Sequence, residues 1–233
     1  MKTFIFCLIF CLTLFACNPK LSNGLRKKDL NKDVEMVTDY GTMIIRLSDS
    51  TPLHRDNFLK LVKQHYYDSI LFHRVIKNFM IQAGDPKSKK AHPDSTLGEG
   101  DVGYTIPAEF RASLFHKKGV VAAARENDAD NPLKESSGGQ FYIVQGKKFT
   151  DAGLDSTETI RLKGRKLPAA HREVYKTLGG SPHLDQNYTI FGEVISGLSV
   201  IDSIASVQTS GREDGNRPLK DVYIIQAKLV KRK

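Results

Sequence analysis

One arginine stands among apolar residues in a stretch that predicts a β-hairpin. Residues 71–86 read LFHRVIKNFMIQAGDP, in which two short alternating runs flank a polar turn at Lys77 and Asn78. Arg74 could be an exposed strand residue whose stem covers apolar surface. Alternatively, it is a fixed cation in a concave pocket lined by residues that follow it closely, namely Phe79, Met80 and Gln82.

This stretch resembles the signature of the cyclophilins, the peptidyl-prolyl cis/trans isomerases. Three later stretches resemble further segments of that family in the same order: GVVAAAR at 119–125, GGQFYIV at 138–144 and HLDQNYTIFGEVISGLSVIDSI at 183–204. The resemblance covers roughly residues 34–229. It implies an all-β fold with minor helices, as a closed eight-stranded antiparallel barrel capped by two helices, with a groove on its outer face.

The resemblance also implies a chemical role for the arginine. An X-Pro bond rotates over a barrier of about 18–20 kcal/mol because resonance gives its C–N bond double-bond character. Twisting leaves the proline nitrogen with a free lone pair, and a guanidinium hydrogen bond to it is strong only in that twisted state. The family motif makes Arg74 the catalytic residue, with Gln82 orienting it and Gln140 holding a substrate carbonyl.

The remaining site residues follow from the same resemblance. We predict that the substrate is bound by Phe79, Met80, Ala124, Arg125, Tyr142, His183, Leu184 and Tyr188. Backbone groups at Ala124 and Arg125 would contact the residues that precede proline. His183 stands where many cyclophilins have a tryptophan that binds cyclosporin, so we predict weak sensitivity to that ligand.

Further elements follow from local patterns. A hairpin is predicted around Asp39–Gly41, and a helix should begin at Thr51–Pro52, where threonine caps and proline takes the first helical position. Later elements are strands at 119–124, 140–144, 189–195 and 221–230 and a short helix at 198–205.

Residues 147–182 form an insertion relative to compact cyclophilins. The segment is basic, and Ala169–Leu178 could form one short helix. One interpretation is a solvated surface excursion; the other is a lid or partner surface beside the pocket.

The N-terminus predicts export. Met1–Lys2 precede a short apolar run that ends at Cys17, which is typical of a signal peptide, and LFAC at 14–17 resembles a bacterial lipobox. We therefore predict a lipoprotein signal peptide at 1–16, lipidation of Cys17, a flexible tether over 17–33 and an isomerase domain over 34–233. The predicted location is the cell envelope, as a lipoprotein of the outer membrane that faces the periplasm or the cell surface. An ordinary secretory peptide cut near Ala16 is the alternative.

Composition limits the other function classes. The 233 residues are 40% hydrophobic, which suits one core, and the formal charge of +9 is spread without a nucleic-acid recognition motif. The string GEGDVG at 98–103 lacks the strand and helix that a dinucleotide site requires. With no cysteine after Cys17 and no HExxH pattern, we expect no metal and no cofactor.

We therefore predict a monomeric, membrane-anchored isomerase that acts on proline-containing polypeptides and assists the folding of exported proteins. The alternative is a non-catalytic proline-binding or chaperone module that uses the same groove.

Overall fold

The computed structural model describes residues 24–92, 95–212 and 215–232. Its strands are β1 (Lys32–Thr38), β2 (Gly41–Leu47), β3 (Ile70–Leu71), β4 (Arg74–Ile76), β5 (Met80–Ala83), β6 (Thr105–Ile106), β7 (Val120–Ala123), β8 (Ser136–Ser137), β9 (Phe141–Val144), β10 (Ile190–Ser196) and β11 (Tyr223–Lys231). Within these residues, nine strands form one antiparallel sheet in the order β3-β11-β1-β2-β10-β7-β9-β5-β4, and β6 pairs with β8. The predicted all-β class with minor helices is confirmed.

Four α-helices occur in the described chain: α1 (Pro52–Lys63), α2 (Asp151–Ser156), α3 (Ala169–Thr177) and α4 (Leu198–Ala205). As predicted, α1 begins with proline in its first turn, after Thr51. Phe58 of α1 and Ile201 of α4 are buried in the same core as the sheet. No helix in the described ranges is long and apolar enough to cross a membrane.

The main sheet has nine strands where eight were predicted, because the run from Leu71 to Ile76 is divided. β3 pairs with β11, and Phe72 donates its N–H to the carbonyl of Val222, whereas β4 pairs with β5. The two edge strands of the sheet are thus separated by only Phe72 and His73 in the chain. A connection of that length spans about 11 Å at most, so the sheet curls until its edges approach.

Side chains alternate between two apolar clusters along the strands that carry the hairpin signature. Val75, Ile81 and Ile143 belong to the central core, whereas Met80 and Tyr142 belong to a second cluster on the opposite face. The second cluster also contains Val120, Ala122, Val144, Leu184 and Ile190. This outer face is where the predicted groove was expected.

The packed chain begins earlier than the predicted start at Val34. Leu25 is fully buried, and Lys63 of α1 donates to the Asp29 carboxylate at 2.7 Å. The predicted tether over 17–33 therefore includes residues that pack against the body, since apolar burial of Leu25 fixes them there. The predicted signal peptide and Cys17 lie outside the described residues.

The insertion at 147–182 has a small core of its own. It contains α2, a π-helical turn at Thr157–Arg161 and α3, which matches the predicted helix. Leu154, Leu167 and Tyr175 are buried together. The segment is therefore a folded subregion and not an irregular surface loop.

Candidate active site

The β4–β5 hairpin places the catalytic candidate and its predicted partner side by side. Arg74 and Gln82 are direct cross-strand neighbours, so their side chains share the outer face. Arg74 Nη1 donates to Gln82 Oε1 at 3.1 Å. The turn between the strands contains Asn78 in the left-handed region, at φ 63°, which asparagine adopts more readily than most residues. The structure therefore places Gln82 beside Arg74, as the resemblance to the cyclophilins implied.

A chain of amides holds Arg74 in one orientation. Gln82 Nε2 donates to Gln140 Oε1 at 3.1 Å, and Gln140 Nε2 donates to the carbonyls of Gly98 and Gly100 at 2.7 and 2.8 Å. Both amide hydrogens of Gln140 are therefore engaged within the protein. This arrangement differs from the predicted role of Gln140 as a donor to a substrate carbonyl, and it makes Gln140 a positioning residue.

The loop that contains Gly98 and Gly100 is folded around a buried carboxylate. Asp85 accepts hydrogen bonds from the N–H groups of Lys87, Gly98 and Gly100 at 2.8, 2.7 and 3.3 Å. A Cβ added at Gly100 would lie 2.0 Å from Asp85 Oδ1, so only glycine fits there. Asp85 thereby fixes the carbonyls to which Gln140 donates.

A cavity of about 130 Å³ lies beside Arg74 on the outer face. Its lining consists of Arg74, Phe79, Met80, Gln82, Ala124, Arg125, Tyr142, Leu184 and Tyr188. Of the predicted site residues, only Gln140 and His183 are not among them. The structure thus brings together residues from four separate stretches of the sequence, with apolar side chains on the floor and two arginines, Arg74 and Arg125, at the edges.

His183 lies at the rim of this cavity. Its ring packs against Phe79 with a centroid distance of 5.5 Å and an interplanar angle of 30°. Burial, followed by the positive charge of Arg161, lowers the pKa of His183 to about 4. The imidazole is therefore neutral near pH 7 and adds apolar surface to the rim.

The charge of Arg74 is partly withdrawn from water but is not neutralised. Burial lowers the pKa of Arg74, yet an arginine remains protonated at physiological pH. Its hydrogen-bond partner Gln82 is neutral, and within the described ranges no carboxylate forms an ion pair with it. A guanidinium in this setting has donors and charge available for a ligand in the cavity.

The opposite side of the cavity is formed by Ala124, Arg125 and Tyr188. The Arg125 guanidinium lies 4.5 Å from the centroid of the Tyr188 ring, and it pairs with Asp128 at 2.6 Å. Ala124 donates its N–H to the carbonyl of Gln140 at 3.0 Å. This wall is therefore fixed by contacts within the protein before any ligand binds.

Sequence reasoning missed a buried polar network behind the cavity wall. The Tyr142 hydroxyl and His116 Nε2 are 2.9 Å apart, and His116 Nδ1 lies 3.0 Å from Asp185 Oδ1. Tyr175 of α3 donates to Asp185 Oδ2 at 2.7 Å. All four residues are buried. Because a carboxylate accepts, His116 donates from Nδ1 to Asp185, and its Nε2 is hydrogen-bonded to the Tyr142 hydroxyl.

No local signal in the sequence could have revealed this network, because only the fold brings its members together. It links the cavity wall at Tyr142 to the insertion at Tyr175. The insertion and the site are therefore one packed unit.

A larger cavity of about 1070 Å³ adjoins the site and shares Arg74 and Gln82 with it. His73 lines this cavity, and burial lowers its pKa to about 4. The groove therefore extends well beyond the space that one side chain fills. Among the described residues, no cluster of His, Cys, Asp or Glu side chains could hold a metal ion.

The family model for the cyclophilin type peptidyl-prolyl cis-trans isomerases matches residues 33–229, which is most of the chain. The chain belongs to this family. As a cyclophilin, it is an isomerase of peptide bonds that precede proline. The match covers the hairpin, the cavity and the insertion.

Similar proteins come from several bacteria. A proposed peptidyl-prolyl cis-trans isomerase of Staphylococcus epidermidis is 32% identical over 207 residues, which cover 88% of this cyclophilin and 94% of that protein. A proposed bifunctional phosphatase/peptidyl-prolyl cis-trans isomerase of Streptococcus pyogenes is 34% identical over 194 residues. That alignment covers 82% of this chain but only 37% of the streptococcal protein.

A solved structure supports the fold. The crystal structure of a cyclophilin type isomerase from Cryptosporidium parvum has a TM-score of 0.63 and 21% identity, and it covers 87% of this chain and 99% of that chain. A second structure of that protein, obtained in the presence of the dipeptide Ala-Pro, has a TM-score of 0.62. At this identity, the likeness concerns the fold alone.

Proposed function

We propose that Arg74 is the catalytic residue of this isomerase and that the 130 Å³ cavity receives the proline ring. The observation that carries this proposal is a charged guanidinium held by a neutral amide, 3.1 Å away, at the edge of an apolar cavity. Phe79, Met80 and Leu184 supply surface against which a ring of three methylene groups can be buried.

Arg74 would act through differential stabilisation. In the planar peptide bond the proline nitrogen lone pair is delocalised and accepts a hydrogen bond poorly. As the bond twists, the lone pair localises and the guanidinium donates to it more strongly. Each 1.4 kcal/mol gained only in the twisted state raises the rate about tenfold, so one such bond supplies a few orders of magnitude without a covalent intermediate.

The direct test is a proline isomerisation assay on the full chain and on Arg74→Ala. We expect the variant to lose more than about tenfold in kcat/KM, with little change in stability, because Arg74 has no ion pair to lose among the described residues. Arg74→Lys should recover little activity, since an ammonium lacks the directional fork. Arg26→Ala, at an exposed arginine before β1, is the matched control. Equal activity in all four proteins would refute the proposed mechanism.

We also propose that this cyclophilin is a lipoprotein of the cell envelope that assists the folding of exported proteins. Support comes from the basic start, the apolar run and LFAC at 14–17, and from three cysteines confined to positions 7, 11 and 17. Two acyl chains would anchor the protein stably, whereas one binds a membrane only marginally. Proline isomerisation is slow enough to limit folding, so exported chains would benefit from a tethered isomerase.

The anchor is tested by Cys17→Ser. We expect this variant to leave the membrane fraction and to lose incorporation of labelled fatty acid, while its isomerase activity is kept. Cys11→Ser is the matched control and should remain with membranes. If Cys17→Ser still sediments with membranes, Cys17 is not the anchor.

A further inference from the structure

The insertion places an exposed apolar residue and an exposed cation next to the rim of the cavity. The π-helical turn Thr157–Arg161 packs against the 3-10 turn Pro182–Leu184, and Leu184 lines the cavity. Ile160 is 70% exposed on this turn, and Arg161 is also exposed. We call Ile160 and Arg161 the insertion rim.

The charge of Arg161 is not neutralised within the described ranges, unlike the charges of Arg172 and Lys166. Arg172 and Lys166 both pair with the Glu158 carboxylate, at 2.8 Å each. Arg161 forms no ion pair or side-chain hydrogen bond with any residue of the described ranges. Its charge instead acts on the neighbouring His183, whose pKa it helps to lower. The insertion rim therefore presents one free positive charge beside the groove.

The insertion rim is held against the cavity wall by hydrogen bonds. Arg165 Nη2 donates to the carbonyl of Asp185 at 2.7 Å, and Tyr175 donates to the carboxylate of the same residue. Asp185 directly follows Leu184 in the chain, so the two contacts fix the insertion at the cavity wall. Little ordering entropy would be lost when a ligand binds a surface that is already held in place.

We infer that the insertion rim is an additional subsite for the substrate polypeptide, which selects an acidic residue on the side that follows proline. The inference rests on the proposed function, in which Ala124 and Arg125 receive the residues that precede proline. The chain then leaves the cavity past Phe79 and His183, toward Ile160 and Arg161. An extended chain advances about 3.3 Å per residue, so a carboxylate roughly two to four residues after proline can reach this surface.

The test uses three proline peptides that differ only in the third residue after proline, which is Glu, Gln or Lys. For the unmodified full chain we expect kcat/KM to be about two- to fivefold higher for the Glu peptide than for the Gln peptide, as an exposed ion pair allows. Arg161→Gln should bring this ratio close to one. Lys28→Gln removes an equal charge from an exposed turn before β1 and should leave the ratio unchanged. The ratio should also decrease as ionic strength rises.

Several results would overturn the inference. An equal loss for all three peptides in Arg161→Gln would mean that the residue supports the cavity and does not select charge. An unchanged ratio would show that the substrate does not reach the insertion rim. If Arg161→Gln instead weakens binding to vesicles that contain anionic lipid, with the ratio unchanged, the surface faces a membrane.

The Arg74→Ala variant separates this inference from the proposed function. It should lower kcat/KM for all three peptides alike and preserve the Glu-to-Gln ratio measured on its residual activity. Full activity of Arg74→Ala on the Gln peptide would refute the role of Arg74. A charge ratio that still depends on Arg161 would then stand as an independent result.

Discussion

Two regions of this cyclophilin withdraw a charged side chain from water, and they treat that charge in opposite ways. In the hairpin, half-buried Arg74 has a neutral amide as its partner, Gln82 at 3.1 Å. In the insertion, Glu158 is only 2% exposed and accepts from Lys166 and Arg172, each at 2.8 Å. The charge of Arg74 is oriented but not neutralised, whereas the charge of Glu158 is paired with two cations.

The difference separates a charge held for a ligand from a charge held for the fold. A buried charge costs free energy unless it is paired and hydrogen-bonded. Glu158 avoids that cost through its partners, including the N–H of Leu167 at 3.1 Å. Arg74 meets it only in part, through the hydrogen bond to Gln82, so its guanidinium keeps donors available for the substrate that we propose. The comparison predicts that replacing the neutral partner of Arg74 with a charged one should turn a charge available for a ligand into a charge neutralised within the fold.

The largest effect is expected from Gln82→Glu. This change would give Arg74 a partner of opposite charge, as Glu158 already has. A carboxylate at this position should pair with the guanidinium and reduce its donation to the proline nitrogen, lowering kcat/KM about a hundredfold. Gln82→Leu is the matched control, because it removes the hydrogen bonds without adding charge, and it should cost only about tenfold. Both are measured with the same proline peptide. If the two variants lose activity equally, orientation and not charge accounts for the role of Gln82.

Glu158→Gln should remove the paired charge of the insertion and destabilise the protein with little loss of activity. The hydrogen bond from Lys166 is the main cause that lowers the pKa of Glu158 to about 2, from a usual value of 4.5. A lowered pKa in the folded state means stability that is present above about pH 4.5 and is lost as the pH falls toward 2. We expect Glu158→Gln to lower the free energy of unfolding by about 1–3 kcal/mol at pH 7.

Urea unfolding at pH 7 and at pH 3 checks this prediction. The difference between the unmodified protein and Glu158→Gln should shrink at pH 3, because the unfolded glutamate is then largely protonated. Glu173→Gln is the control, since that side chain is exposed and pairs with Lys176 at the surface. An equal difference at both pH values would mean that the ionised carboxylate is not the source of the stability.

His183 marks the boundary between the two regions, since it touches Phe79 of the site and lies beside Arg161 of the insertion. His183→Trp should strengthen cyclosporin binding about tenfold or more, because an indole adds apolar area and a donor that the neutral imidazole places differently. Turnover of short proline peptides should change little. Titration calorimetry with cyclosporin measures the first effect. Tight binding to the unmodified protein would contradict the pairing of His183 with the family tryptophan.

The hairpin was predictable because its determinants are local. Alternation along β4 and β5 puts Arg74 and Gln82 on one face whatever the rest of the chain does, and the turn at Asn78 is readable from residue type. Gln140 was placed near the site, but the role predicted for it, holding a substrate carbonyl, differs from the one that its contacts support. Its partners are the carbonyls of a loop whose path depends on Asp85, and that path is a tertiary property.

The insertion was the less predictable region for the same reason. Composition showed a basic segment, but it could not show that Lys166 and Arg172 converge on one carboxylate, whereas Arg161 pairs with none in the part of the chain that the structure describes. The split of the predicted strand at Phe72 and His73 was equally hidden, because residues 71–76 include no glycine, proline or other turn residue to mark the point where the hydrogen-bond partners change. Sequence periodicity indicates which side chains share a face of a strand. It does not indicate which neighbouring strand forms the backbone hydrogen bonds.

The smallest effect is expected from Tyr175→Phe, which cuts the link between the two regions and removes no charge. The variant loses the hydrogen bond that the hydroxyl donates to the Asp185 carboxylate but keeps the aromatic ring in its buried place, so the free energy of unfolding should fall by about 1 kcal/mol. His116 still contacts Asp185, so Tyr142 should stay in position and activity on a neutral proline peptide should change less than about threefold. Hydrogen exchange should instead quicken across 150–178.

If the position of Arg161 depends on the contact between Tyr175 and Asp185, the preference for the Glu peptide should weaken in parallel. Faster exchange in β4 and β5 would show that the network supports the catalytic hairpin itself, and the separation of the two regions would then be wrong.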